Sequence, residues 1–276
     1  MLAGIVGLGL IGGSFAKAYT AAGHSVYAFD TNEQVLSYAL LSGAAEGRLT
    51  DDVIPKCDII LVCTYPAAAI NYIEQKGALF GSRPVVIDSC GIKREVVERG
   101  MQIAREHGFT YCGGHPMAGT QYSGFKYSRD NLFKGAPMVI VPPRRDDIAL
   151  LNKIKTLLSP AGFGRISVTD AQTHDEVIAY TSKLAHVVSS AYIKSPVVRA
   201  HRGLSAGSYK DMTRVARLSP DMWTELCMAN RDNLIKEIDI LMHNLEDYKA
   251  ALANGDSDML KQLFDEGRRI KEEVDG

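Results

Sequence analysis

The chain has 276 residues, with 31 lysines and arginines against 32 aspartates and glutamates, for a net charge of −1. That balance excludes the basic footprint of a nucleic-acid or anionic-membrane binder, and no apolar run reaches the roughly 18 residues a membrane helix needs. Five cysteines, Cys57, Cys63, Cys90, Cys112 and Cys227, are scattered without a CxxC pair, which predicts reduced thiols in a cytoplasmic protein and neither a disulfide framework nor a metal site.

The chain opens on a short apolar run, Leu2 to Val6, followed by Gly7-Leu8-Gly9-Leu10-Ile11-Gly12 and a helical stretch, Ser14 to Ala22. A second apolar run, Ser25 to Phe29, ends in Asp30, 18 residues beyond Gly12. Strand, glycine turn, helix, strand and acid in that order are a dinucleotide-binding fingerprint. Gly7 permits the tight turn, Gly9 lets the backbone approach a pyrophosphate, and Gly12 lets the helix pack close to the strand. A carboxylate at Asp30 accepts from ribose hydroxyls and repels a 2′-phosphate, so the expected cofactor is NAD.

Further apolar runs follow at Ile59 to Thr64, Val85 to Asp88, Phe109 to Cys112, Pro137 to Pro142 and Arg165 to Val168. Lys93 to His107 and Asp147 to Leu158 read as helices between them. Continuous apolar runs separated by helices predict a largely parallel sheet covered on both faces. Residues 1–168 are therefore expected to form an α/β, Rossmann-like, doubly wound domain. Residues 169–276 are expected to form an all-α dimerisation domain, because strand-like runs cease near Ala171. Its helices are read at Gln172 to Lys194, from Ser219-Pro220 without a break to Asn254-Gly255, and at Ser257 to Val274. The middle one carries a long apolar stripe that needs a cover, most simply a second subunit.

Loops after the strands of a doubly wound sheet gather at one edge, where ligands bind. Cys63-Thr64-Tyr65-Pro66 is expected to border the cofactor there. Gly113-Gly114-His115-Pro116 reads as a loop, with glycines giving freedom before the histidine and proline fixing the chain after it. A histidine at that edge can take a proton from a substrate hydroxyl while hydride leaves for nicotinamide. In the helical half, Ser182 and His186 stand four apart on one face, although a serine there also suits a bond to its own helix. Gly207 leads a short helix to Arg214, whose guanidinium can clamp a carboxylate or lie in a solvated salt bridge. Trp223 reads as core.

Taken together, His115-Pro-Met-Ala-Gly-Thr120, His174-Asp175 with Ser182-x-x-x-His186, and Lys210-Asp-Met-Thr-Arg214 with Met222-Trp223 resemble the prephenate dehydrogenase family over nearly the whole chain. The resemblance implies a homodimer joined through interlocking C-terminal helices. It implies His115 as the catalytic histidine on the substrate's ring hydroxyl, Arg214 on a substrate carboxylate, and Thr120, Ser182, His186 and Gly207 at the pocket. The implied reaction is NAD-dependent oxidative decarboxylation of prephenate to 4-hydroxyphenylpyruvate. Arogenate, with an ammonium in place of the keto group, is the alternative substrate, and the neutral Thr120-Gln121 pair favours prephenate.

Two departures stand out. Many family members carry a serine supporting the histidine where this chain has Gly91, so His115 must be oriented by something else, such as water or a cofactor hydroxyl. The family's Ser-His-Leu-Pro-His is here Ser182-Lys183-Leu184-Ala185-His186, and Lys183 is either a cation near the substrate or solvent-facing. Two further readings remain: a β-hydroxyacid dehydrogenase or imine reductase with a catalytic lysine near Lys183, and a non-catalytic NAD-sensing regulator.

Overall fold

A computed structural model describes residues 1–120 and 122–275; Gln121, placed at the pocket by sequence, lies outside them. The N-terminal half alternates β1 (Leu2–Val6), α1 (Leu10–Ala21), β2 (Ser25–Phe29), α2 (Glu33–Leu41), β3 (Gly47–Arg48), β4 (Ile59–Val62), α3 (Pro66–Phe80), β5 (Val85–Asp88), α4 (Arg94–His107) and β6 (Thr110–Pro116). It continues through β7 (Pro137–Val141), α5 (Ile148–Leu158) and β8 (Arg165–Val168). These strands form one sheet in the order β3-β2-β1-β4-β5-β6-β7-β8. All neighbours run parallel except β6 and β7. The order reverses between β1 and β4, which makes their carboxyl ends the ligand-binding crevice of a doubly wound fold.

Alternation along the buried strands sends neighbouring residues to opposite faces. Ile5, Leu61 and Ile87 pack with Phe15, Phe133 and Ile154 on one side. Val6, Val62 and Val86 pack with Phe80, Ile103 and Leu226 on the other. Leu226 belongs to the helical half, so the second core continues across the change of fold class.

From Ala171 on, the long regular elements among the described residues are all helices: α6 (Ala171–Ile178), α7 (Ala185–Tyr192), α8 (Gly207–Thr213), α9 (Pro220–Met228), α10 (Arg231–Ala253) and α11 (Ser257–Asp275). A π-helical turn, Ala179–Leu184, joins α6 to α7. Among the described residues no helix is long and apolar enough to cross a membrane.

Two elements differ from the sequence reading. His115 lies on a strand, because β6 continues past β5 and pairs antiparallel with β7, His115 opposite Val139. The glycines before it serve packing: a Cβ on Gly114 would stand 2.4 Å from the Asp88 carbonyl oxygen. The helix expected from Ser219 to Asn254 is broken between α9 and α10 at Asn230, which is fully buried. The Asn230 side chain donates to the Asp175 carbonyl at 2.7 Å and accepts from Arg94 Nη2 at 3.0 Å. Those bonds hold the kink where apolar periodicity alone runs straight through.

Asn230→Ala is expected to destabilise the fold by about 1–3 kcal/mol, since it leaves buried partners unsatisfied. A lower urea midpoint at unchanged slope would show this; an unchanged midpoint would refute the role of the kink.

Candidate active site

The glycine turn sits at the crevice. Gly7 has φ of 85°, the left-handed region that favours glycine. A Cβ on Gly12 would lie 1.8 Å from the Gly7 carbonyl oxygen, so the helix can approach the strand only with glycine there. A Cβ on Gly9 would meet nothing within 4 Å among the described residues, which leaves that backbone open to a ligand. Gly9 caps α1 without a side-chain bond, and the first amides of a helix, here at Leu10, Ile11 and Gly12, have no partner within it. Open amides at the positive end of a helix dipole suit a pyrophosphate.

Asp30 stands just beyond β2. Its carboxylate accepts from the Leu8 amide at 2.6 Å and the Asn32 amide at 2.7 Å. Leu8 therefore uses its N–H within the turn and buries its side chain. An ionised carboxylate has about four acceptor sites, so capacity remains for ribose hydroxyls. Cys63 and Thr64 press on the turn from β4, with Thr64 Cγ2 only 2.6 Å from where a Gly7 Cβ would be. Pro66 opens α3, and the next amide, Ala67, donates to Glu225 of α9 at 3.1 Å. The residues present thus fit a dinucleotide, and the helical half reaches its rim.

A buried group of titratable residues forms where the end of β6 meets α6. His115 Nδ1 is 2.9 Å from His174 Nε2, and His174 Nδ1 is 2.7 Å from Asp175 Oδ1. Asp175 is fully buried and also accepts from the amides of Lys93 at 2.7 Å and Arg94 at 2.9 Å. Burial alone would raise its carboxyl pKa. The bonds from His174 and the Arg94 amide outweigh it and hold the group below the ordinary carboxylate value. Desolvation lowers the His174 imidazole against the pull of Asp175. The same effect, with the His174 ring, Lys93 and Lys183 adding, pushes His115 well below its ordinary value. Both rings are therefore neutral near pH 7.

The network then assigns the tautomers. An ionised Asp175 takes the proton of His174 Nδ1, so His174 Nε2 accepts from His115 Nδ1–H. His115 Nε2 is left with a free lone pair. The orienting partner of His115 is thus His174, in place of the water or cofactor hydroxyl expected from Gly91. The adjacent His174-Asp175 pair was visible in sequence, but its contact with a residue 59 positions away was not.

The other predicted residues spread around this centre. Ser182 and Lys183 lie on the π-helical turn, a form that recurs at functional sites. Lys183 is only 2 % exposed, so it does not face solvent. His186 donates from Nδ1 to the Ser182 carbonyl at 2.8 Å and stacks on Trp223 with ring centroids 3.7 Å apart. Trp223 is accordingly a half-buried site wall, not the core residue expected. Arg214 is exposed, begins a 3-10 turn packed on α7, and lowers the proton affinity of His186. Gly207 opens α8 on the surface. Thr120 exchanges hydrogen bonds at 3.2 Å with the backbone of Tyr122 in an exposed loop. Among the described residues no hydrogen bond joins Thr120, Gly207 or Arg214 to His115.

A family model described as prephenate dehydrogenase, nucleotide-binding domain, matches residues 15–167, and one described as prephenate dehydrogenase, dimerization domain, matches residues 170–266. The chain belongs to the prephenate dehydrogenase family. A cyclohexadienyl dehydrogenase of Zymomonas mobilis is 29% identical over 97% of this chain and 94% of its own length. The structure of prephenate dehydrogenase from A. aeolicus in complex with hydroxyphenyl propionate and NAD+ superposes with a TM-score of 0.83. It is 25% identical and covers 100% of this chain and 98% of its own. Synechocystis arogenate dehydrogenase shares the fold, with a TM-score of 0.83 at 24% identity over 99% of this chain and 100% of its own. As a member of the prephenate dehydrogenase family, the chain is a dehydrogenase with an N-terminal nucleotide-binding half.

The His115–His174–Asp175 network sets a pH dependence. Unfolding frees two imidazoles that take up protons from about pH 6.5, whereas the folded rings resist protonation to lower pH. Stability attributable to them is complete above 6.5 and lost as pH falls below it. The melting temperature should fall through that window, and His174→Gln should flatten the fall. An unchanged slope in that variant would refute the assignment.

Proposed function

We propose that the chain catalyses NAD-dependent oxidative decarboxylation of prephenate to 4-hydroxyphenylpyruvate. The observation that carries this reading is the Nε2 lone pair of His115, without a partner among the described residues and oriented by a buried His174–Asp175 pair, on the sheet that also carries the dinucleotide turn. Bound NAD supplies the hydride acceptor. The complex of hydroxyphenyl propionate and NAD+ with the A. aeolicus enzyme supports the pairing of a hydroxyphenyl ring with that cofactor.

His115 Nε2 accepts the proton of the ring hydroxyl as hydride leaves the carbinol carbon. The resulting dienone loses the ring carboxylate as CO₂, driven by aromatisation. His174 holds the ring of His115 and Asp175 holds that of His174, so the acceptor is oriented before substrate arrives. Arg214 provides a fork for a substrate carboxylate. Ser182 and His186, with Trp223 behind, form one wall, and Thr120 and Gly207 lie at the mouth. Gly7 through Gly12, Asp30, Cys63, Thr64 and Pro66 hold the dinucleotide. We divide the chain functionally at 168/169, the first part carrying the cofactor and the second the substrate wall and dimer contact. Ile235, Met242, Leu245 and Leu252 of α10 are each more than half exposed, which supports a second copy as their cover. Five free cysteines suit a reducing cytoplasm.

NADH formation from purified protein given prephenate or arogenate tests the reading directly. Prephenate is expected to be preferred, and absence of NADH with both would overturn it. His115→Asn should lower kcat by about 100-fold or more while NAD binding is retained; near-normal turnover excludes His115 as proton acceptor. Arg214→Ala should raise the substrate KM by about 30-fold, the loss of a charged pair of about 2 kcal/mol, with little change in the KM for NAD.

A further inference from the structure

Lys183 is the one buried cation here without a carboxylate partner among the described residues. The other buried cation, Lys93, pairs with Asp88. Lys183 Nζ makes a single hydrogen bond among the described residues, to the Gly91 carbonyl at 3.2 Å, and lies 5.3 Å from the centre of the Trp223 ring. An ammonium has three donors, and a charge buried with so little compensation is costly unless a ligand completes it.

Both departures from family pattern meet here: Lys183, carried inward on the π-helical turn, lies against Gly91. A Cβ at position 91 would stand in ordinary contact, 3.5 Å from Nζ and from a Leu226 methyl, so a side chain longer than alanine's would compete for the same space. Lys183 also acts on two of the site's three imidazoles, lowering the proton affinity of His115 and of His186. It thus sits between the loop after β5, at the cofactor edge, and the His186–Trp223 wall.

Building on the proposed reaction, we propose that Lys183 is a further catalytic residue whose ammonium donates a hydrogen bond to the substrate's ring oxygen as His115 removes its proton. The O–H bond breaks toward His115 Nε2, the C–H pair leaves as hydride, and negative charge developing on oxygen is held by an ammonium that keeps its own protons. Preorganised charge of this kind acts most strongly where water is excluded.

Burial lowers the Lys183 pKa to about 8, with the Cys227 thiol and Asp175 opposing the shift and Lys93 adding to it. The ammonium is present below that value and lost above it, so kcat/KM, which follows the free enzyme, should decline as pH rises through about 8. The groups facing Lys183 are Cys227 on α9, Asp175 on α6, Lys93 beside α4, and His115 and His186.

Lys183→Met is expected to lower kcat by about 100-fold with a smaller change in KM, and to abolish the alkaline decline. Lys183→Arg should retain more of kcat and shift the decline upward, while Cys227→Ser should leave it in place. A nitrated hydroxyphenyl propionate, whose ring oxygen changes absorbance on ionisation, gives a readout without turnover. Its phenolate should form at lower pH when bound to the unaltered protein than when bound to Lys183→Met. Unchanged kcat with unchanged ionisation of the bound probe would overturn the proposal. A rise in KM alone would also overturn it, placing Lys183 on a carboxylate. If Lys183→Met does not fold, Lys183→Arg decides, and a decline still near pH 8 overturns it. Failure of the unaltered protein to make NADH would instead refute the substrate reading, and the probe titration would still report on Lys183.

Discussion

The buried carboxylate of Asp175 is the constraint on which the rest of the structure depends. One oxygen takes the amide of Lys93 and the ring proton of His174, and the other takes the amide of Arg94. Its own carbonyl takes the side chain of Asn230. A single residue of α6 therefore fastens the start of α4, the kink between α9 and α10, and the histidine that positions His115. Four contacts converge where no water is needed to satisfy them, and the change from sheet to helices becomes a rigid seam.

The electrostatics of the seam follow from that arrangement. Asp175 stays ionised because three donors meet it, and its charge fixes the proton on His174 Nδ1. Burial keeps both imidazoles neutral. On the proposed reading, an acceptor whose lone pair is already directed costs little reorganisation when substrate binds. The positive charge left over in the same region is that of Lys183, set against Gly91.

Much of this was legible in the chain. Strand runs such as Val85 to Asp88 are continuous and apolar because both faces are covered, and the glycine turn reads clearly because its backbone demands glycine. What was hidden is non-local. Gly-Gly-His-Pro has the composition of a loop, yet pairing with β7 makes it strand. The stripe from Trp223 to Leu252 keeps helical spacing through Asn230, so only that residue's distant partners reveal the break. The inward course of Lys183 depends on a π turn with no simple sequence signal. The capping of Ala67 by Glu225 joins residues 158 positions apart and left no trace in the sequence.

β6 belongs to two ladders, parallel to β5 and antiparallel to β7. The first ladder ends at Cys112, and His115 is held by the second, opposite Val139, while the segment just after it, from Met117 to Gly124, carries no regular structure among its described residues. On the proposed reading, tolerance to change is therefore divided along the chain. The segment belongs to no strand, so substitutions there can alter what borders the crevice while the pairing of His115 with Val139 is kept.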